Sequence, residues 1–136
     1  MAQASSSAQW HTSENVVVVK NIGALKGEHF KAVDAEIITL MRAAPKEKTV
    51  HVVVDCLEMT EVPPLSDLEF GRILRYFNEP NCGWTVIVDN KNNVLLHVIS
   101  RLLTAFGGKH LQIESSLDKA LSFIGRMDSL PVRNRL

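Results

Sequence analysis

Apolar residues fall along this chain in two textures: short runs that are nearly unbroken, and longer stretches in which they return every three or four positions. The first run, NVVVVKNI over residues 15–22, has consecutive valines and predicts a strand buried on both faces. Gly23 and Gly27 bracket a turn after it. Over residues 28–43, Phe30, Val33, Ile37, Leu40 and Met41 recur at helical spacing, while Lys31, Asp34 and Glu36 lie elsewhere around the axis. Pro45 stops that helix. Residues 50–55, VHVVVD, give a second buried strand, and LEMTEVPPL then reads as a loop closed by two prolines. Ser66 is a good N-cap, and Glu69 three residues on completes a capping box. The helix it opens turns Leu68, Ile73, Leu74 and Phe77 inward and ends before Pro80 and Gly83.

The second half repeats the scheme. WTVIV at residues 84–88 is a third buried strand, and a polar DNKNN segment turns the chain. Residues 94–106 form a mostly apolar helix closed by Gly107 and Gly108. KHLQIE at 109–114 alternates and predicts a strand near the sheet edge. Ser115 and Ser116 offer caps for a last helix with Leu117, Ala120, Leu121 and Ile124 inward. At the front, Trp10 needs a hydrophobic seat, so residues 9–13 predict a short edge strand. Strand and helix thus alternate four times, which predicts an α/β domain: a largely parallel sheet flanked by helices with right-handed crossovers. The expected organisation is a flexible tail over residues 1–8, one domain over 9–128 and a basic tail over 129–136 with Arg133 and Arg135.

Bulk properties narrow the function classes. A chain of 136 residues buries a real core without staples. Its 15 basic and 15 acidic residues cancel, so no global field draws nucleic acid or an anionic membrane, and aromatics are too few for base stacking. The N-terminus has neither the basic region nor the apolar core of a secretory signal, and no apolar run approaches the ~20 residues that span a bilayer. A soluble, cytoplasmic protein is expected, with peripheral contact to a membrane surface compatible. Cys56 and Cys82 lack metal-ligand spacing; Cys56 closes an apolar run and reads as a buried free thiol in a reducing compartment.

Candidate chemistry is sparse. The first turn, NIGALKG, does not match the glycine spacing of a dinucleotide site, and GALKGEHF is not a P-loop. Asp55 ends an apolar strand, but the first strand supplies no acids to hold magnesium beside it, so a turn or capping role is expected instead. His11, His29, His51, His97 and His110 are not paired at metal-ligand spacing, so neither a metal nor a cofactor is expected. A triad of Ser66 or Ser100 with His97 and Asp55 can be written, yet no nucleophile elbow supports it and a hydrolase ranks last. Two surfaces stand out. Ser66, with Asp55, Pro64 and Leu65 nearby, is a candidate phosphoswitch or partner site at a helix N-terminus. The 94–106 helix carries more apolar surface than one inward stripe needs. Val94, Leu96 and Leu103 are left over beside His97 and Arg101, as a candidate apolar-ligand or membrane-facing surface.

The pattern resembles the STAS domain superfamily, the anti-sigma-factor-antagonist fold, and within it the stand-alone SpoIIAA-like, STAS/SEC14-related branch. The carriers are NVVVVKNIGALKGEHF, VHVVVDCLEM before a helix, GWTVIVDN before an apolar helix, and SSLDKALSFI, over residues 15–127. The resemblance implies four or five mostly parallel strands, an antiparallel leading edge strand and about four helices. It implies a non-enzymatic module that binds a protein partner or self-associates, with a homodimer open. In the antagonist branch a kinase phosphorylates a serine in a D-S-S/T-G-like motif at the second helix. VPPLSDLEFG places Ser66 near it, without the preceding aspartate, the paired hydroxyl or the following glycine. The lipid-exchange likeness implies the alternative, a carrier or sensor of a small hydrophobic ligand.

Overall fold

The three valine-rich runs lie side by side at the centre of one sheet, as strands that are apolar on both faces must. The computed structural model describes residues 4–11, 15–61, 74–89 and 110–128. Its elements are β1 (Ser5–Trp10), β2 (Val16–Ala24), α1 (Gly27–Ala43), β3 (Val50–Glu61), a 3₁₀ turn (Arg75–Asn78), β4 (Cys82–Val88), β5 (Leu111–Glu114) and α2 (Leu117–Asp128). The strands stand in sequence order, β1-β2-β3-β4-β5, with β1 antiparallel to β2 and the other pairs parallel. This is the single mixed α/β sheet with an antiparallel leading strand that the sequence implies. Two α-helices lie within the described residues; the helix expected over 94–106 falls outside them, as does the part of the helix expected over 66–78 that precedes residue 74.

Each face has its own core. α1 brings Val33, Ile37 and Met41 onto Val17, Val19, Val50 and Val52, joined by Tyr76 of the 3₁₀ turn. Successive right-handed crossovers that step one way along a sheet put their connections on one face, and α1 and the 3₁₀ turn do share it. α2 covers the other face, with Ala120, Phe123 and Ile124 on Val16, Val53, Val86 and Val88. Ser116 Oγ accepts the Lys119 N–H at 3.2 Å, the N-cap expected there.

Three placements differ from the sequence reading. β1 starts at Ser5, so Trp10 closes the strand rather than opening it, and residues 5–8 belong to the sheet. Only alternate residues need seats there: Ala8 and Trp10 pack on the α1 core and Ser6 bonds Asn21, while Ser5, Ser7 and Gln9 face water. β3 runs on through Cys56–Glu61, where a loop is expected, because Ile22, Gly23 and Ala24 of β2 continue to pair with it. Two register shifts each insert one residue into β3, and Gly23 takes φ +80 beside the second, where a side chain would be strained. Finally, Leu74 does not continue a helix into Phe77. It sits at φ 58, and the next four residues form the 3₁₀ turn. The buried Asp34 carboxylate on α1 sets this change of direction, accepting Arg75 Nε at 3.0 Å and the Tyr76 N–H at 3.2 Å. The Tyr76 hydroxyl then meets Thr85 Oγ1 of β4 at 2.9 Å.

At the amino end of the sheet a buried histidine joins three elements. β4 holds one extra residue against β3 near Gly83 and Trp84. The Trp84 N–H freed there is donated to His51 Nδ1 at 2.9 Å. With Nδ1 accepting, the ring proton sits on Nε2, which is 2.8 Å from Asp128 Oδ1 at the end of α2. Asn15 Nδ2 donates to the other Asp128 oxygen at 3.0 Å. Gly83 is what lets the imidazole lie there, since a Cβ on it would fall 2.5 Å from His51 Nδ1 and 2.6 Å from Thr49 Cγ2. Gly83→Ala is therefore expected to cost roughly 2–4 kcal/mol, through a shifted imidazole and a lost buried hydrogen bond. Urea unfolding of the two proteins checks this; an unchanged midpoint would place the imidazole elsewhere.

Candidate functional site

Ligand sites in open α/β sheets gather outside the carboxyl ends of the parallel strands, and the charged side chains of β2 and β3 meet at that end. Parallel pairing sets Lys20 opposite Asp55, with Ile22 opposite Glu58 after the inserted residue. Lys20 Nζ reaches Asp55 Oδ2 at 3.2 Å and Glu58 Oε2 at 2.6 Å. Asp55 is 8% exposed at its side chain, Lys20 42% and Glu58 55%, so the charges climb from the sheet to the solvent. Glu58 first, then Asp55, hold the Lys20 ammonium above its ordinary range. The second Asp55 oxygen accepts the Leu57 N–H at 3.1 Å. Asp55 is thus a capping residue, as expected, but inside β3 rather than at its end: it satisfies the amide that the inserted residue releases.

The opposite face of the same end is sealed. Ser6 Oγ donates to Asn21 Oδ1 at 2.5 Å, and Asn21 Nδ2 donates to Cys56 Sγ at 3.6 Å. Cys56 lies with Leu25, Met59 and Ile87 in a third apolar cluster. Burial pushes its thiol up to about 12 against the pull of Asn21, and Asp89 and Asp55 add to the rise. Burial, with Glu79 nearby, also raises Cys82 to about 12. Both thiols stay protonated near neutrality, which removes them as nucleophiles.

The buried His51, Asp34 and Tyr76 serve the framework. His51 uses both ring nitrogens, leaving neither as a base. Both Asp34 oxygens are engaged, and burial raises the Tyr76 phenol so that it stays neutral. Among the described residues no three His, Cys, Asp or Glu side chains gather to hold a metal ion, and no helix is long and apolar enough to cross a membrane. Of the sites expected from sequence, Ser66, Pro64 and Leu65 lie outside the described residues, as do Ser100, Val94, Leu96, His97, Arg101 and Leu103. Asp55 alone of that set is placed. Sequence reasoning missed Lys20 and Glu58 as its partners. A lysine closing a run of four valines was the available signal, but the pairing spans 35 positions and needs the register.

No family model and no curated protein matches the sequence. A solved structure does: an uncharacterized protein of the DUF3478 family from Shewanella loihica PV-4, described as having a SpoIIAA-like fold. It superimposes with a TM-score of 0.63 at 12% identity, covering 90% of this chain and 96% of that one. The fold of this chain is therefore SpoIIAA-like, which agrees with the resemblance read from the sequence.

The two thiols, one toward each end of the sheet, give the fold a measurable pH dependence. Their folded values lie above the 9.0 of a free thiol, so their contribution to stability is whole below pH 9 and is lost as pH rises toward 12. Each thiol is expected to remove up to about 1.4 kcal/mol of unfolding free energy per pH unit above 9. Urea titrations at pH 8 and pH 10 are expected to fall further apart for the wild type than for a Cys56→Ala/Cys82→Ala variant. Equal differences would mean that the thiols are accessible to water.

Proposed function

We propose that this chain is a non-enzymatic regulatory module of the STAS type that docks a protein partner at the carboxyl end of its sheet. The observation that carries the reading is the Lys20–Glu58 pair. Glu58 is more than half exposed, yet it is fixed through Lys20 to a buried carboxylate on the central strand. Surface ion pairs on mobile side chains contribute little to stability. Charges rooted in a sheet instead keep one orientation, which favours recognition through electrostatic complementarity.

The surroundings support the same reading. Ser7 pairs with Lys20 and Ser5 with Ile22, so two exposed hydroxyls stand on the same face beside the ion pair. β3 ends at Glu61, so residues 62–73, with Pro64, Leu65 and Ser66, follow directly from this end of the sheet. The SpoIIAA-like fold belongs with regulatory binding modules, and the buried Cys56, His51, Asp34 and Tyr76 are committed to the framework. A phosphate on Ser66 would add negative charge to the segment that follows β3 in the chain and so repel a partner that reads an acidic surface.

The test uses wild-type protein and the variants Glu58→Lys and Ser66→Asp as affinity baits against lysate of the source cells. The expected result is a protein retained in stoichiometric amount by the wild type. At least one variant retains it about tenfold less, with melting temperatures unchanged. Equal retention by all three baits would remove this surface from the interaction. Turnover of an ester or phosphate substrate by the wild type would remove the non-enzymatic reading.

A further inference from the structure

Among the described residues, the outer edge of β1 carries none of the usual sequence defences against strand addition. The His11 N–H donates to Val16 O just beyond the strand, which fixes the phase of the antiparallel ladder. The odd residues of β1 bond β2, so Ser6, Ala8 and Trp10 turn their backbone N–H and C=O groups outward. The strand SSSAQW contains no charge and no proline, and its pairing with β2 is unbroken over six positions. Edges in natural sheets are ordinarily blunted by lysine, proline, a bulge or brevity. β5, at the far edge, is four residues long and uses brevity.

The middle of the β1 edge is occupied by a side chain from α1. Ala8 is the central one of the three outward residues, and its N–H donates to Glu36 Oε1 at 3.1 Å. Glu36 is exposed on α1 and lines a shallow depression with Ala8, Ala35, Thr39 and Leu40. We propose that Glu36 guards this edge, keeping the sheet at five strands by blocking two-fold pairing of β1 with a second copy of the chain.

The geometry of that pairing explains why one carboxylate suffices. A second β1 adding antiparallel about a two-fold axis sets Ala8 opposite Ala8, and Ser6 opposite Trp10. This register brings together the outward groups of both strands and leaves the polar odd residues on their own face. The new strand would run ~4.8 Å from β1, where the Glu36 carboxylate now sits. The two-fold axis would also carry both Glu36 carboxylates to the same central pair, so like charges would meet where the Ala8 amides must be released. Without Glu36 the Ala8 amide is free, and the template is neutral and continuous.

Light scattering and sedimentation across a wide concentration range test the guard on the full chain. The wild type is expected to be monomeric and Glu36→Ala to dimerise, its dissociation constant lower by at least about tenfold. Alanine is a strong helix former and Glu36 is exposed, so the variant is expected to fold. Adding Ala8→Pro removes the outward N–H at an edge position where proline is tolerated and is expected to restore the monomer. Amide exchange locates the contact: Ser6, Ala8 and Trp10 gain protection only in the dimer of Glu36→Ala. A monomeric Glu36→Ala, a wild type that already pairs through β1, or a dimer that Ala8→Pro does not dissolve would each overturn the proposal.

Discussion

An imidazole has two ring nitrogens, and at His51 the fold uses both. One accepts the amide that the extra residue of β4 releases, and the other donates to Asp128 at the end of α2. The central strand, its neighbour and the helix on the second face thereby share one buried side chain. A leucine would fill the same space but would leave the Trp84 amide without its partner, and unpaired buried amides are costly. The ring needs room as well, and the missing side chain of Gly83 provides it. Packing, register and hydrogen bonding thus meet at Gly83 and His51 at the amino end of the sheet.

The carboxyl end solves a similar problem with charge. An inserted residue in β3 exposes the Leu57 amide, and Asp55 takes it with one oxygen. The other oxygen is neutralised by Lys20, whose ammonium also reaches Glu58. One end of the sheet is thus closed by a neutral ring under a helix, the other by an ionic stack open to water. That asymmetry leaves an array of charge presented to solvent at the carboxyl end of the sheet and none at the buried histidine.

Much of this frame was legible in the sequence. Valine runs located β2, β3 and β4 because strands apolar on both faces have few other places to go. Periodicity found α1, Pro45 marked its end, and Ser116 capped α2 as read. The extension of β3 was hidden because Glu58 and Glu61 look like loop residues until β2 is seen to pair with them. The ion pair and the histidine link were hidden by separation, 35 and 77 positions apart along the chain. Hydrophobic patterning reports what a residue avoids, whereas register decides which polar partner it meets, and no local window contains that.

Asp34 has a consequence for how such a chain can change over generations. It is buried on α1 and fastens both Arg75 and the Tyr76 amide, after which Tyr76 reaches across to β4. The chain re-enters the core at a fixed point whatever precedes it. The alignment of residues 75–78 with β4 is thereby set by a side chain about forty positions earlier in the chain. Substitutions elsewhere in the chain can then accumulate while Asp34 keeps Arg75 and Tyr76, and through Tyr76 the middle of β4, in place.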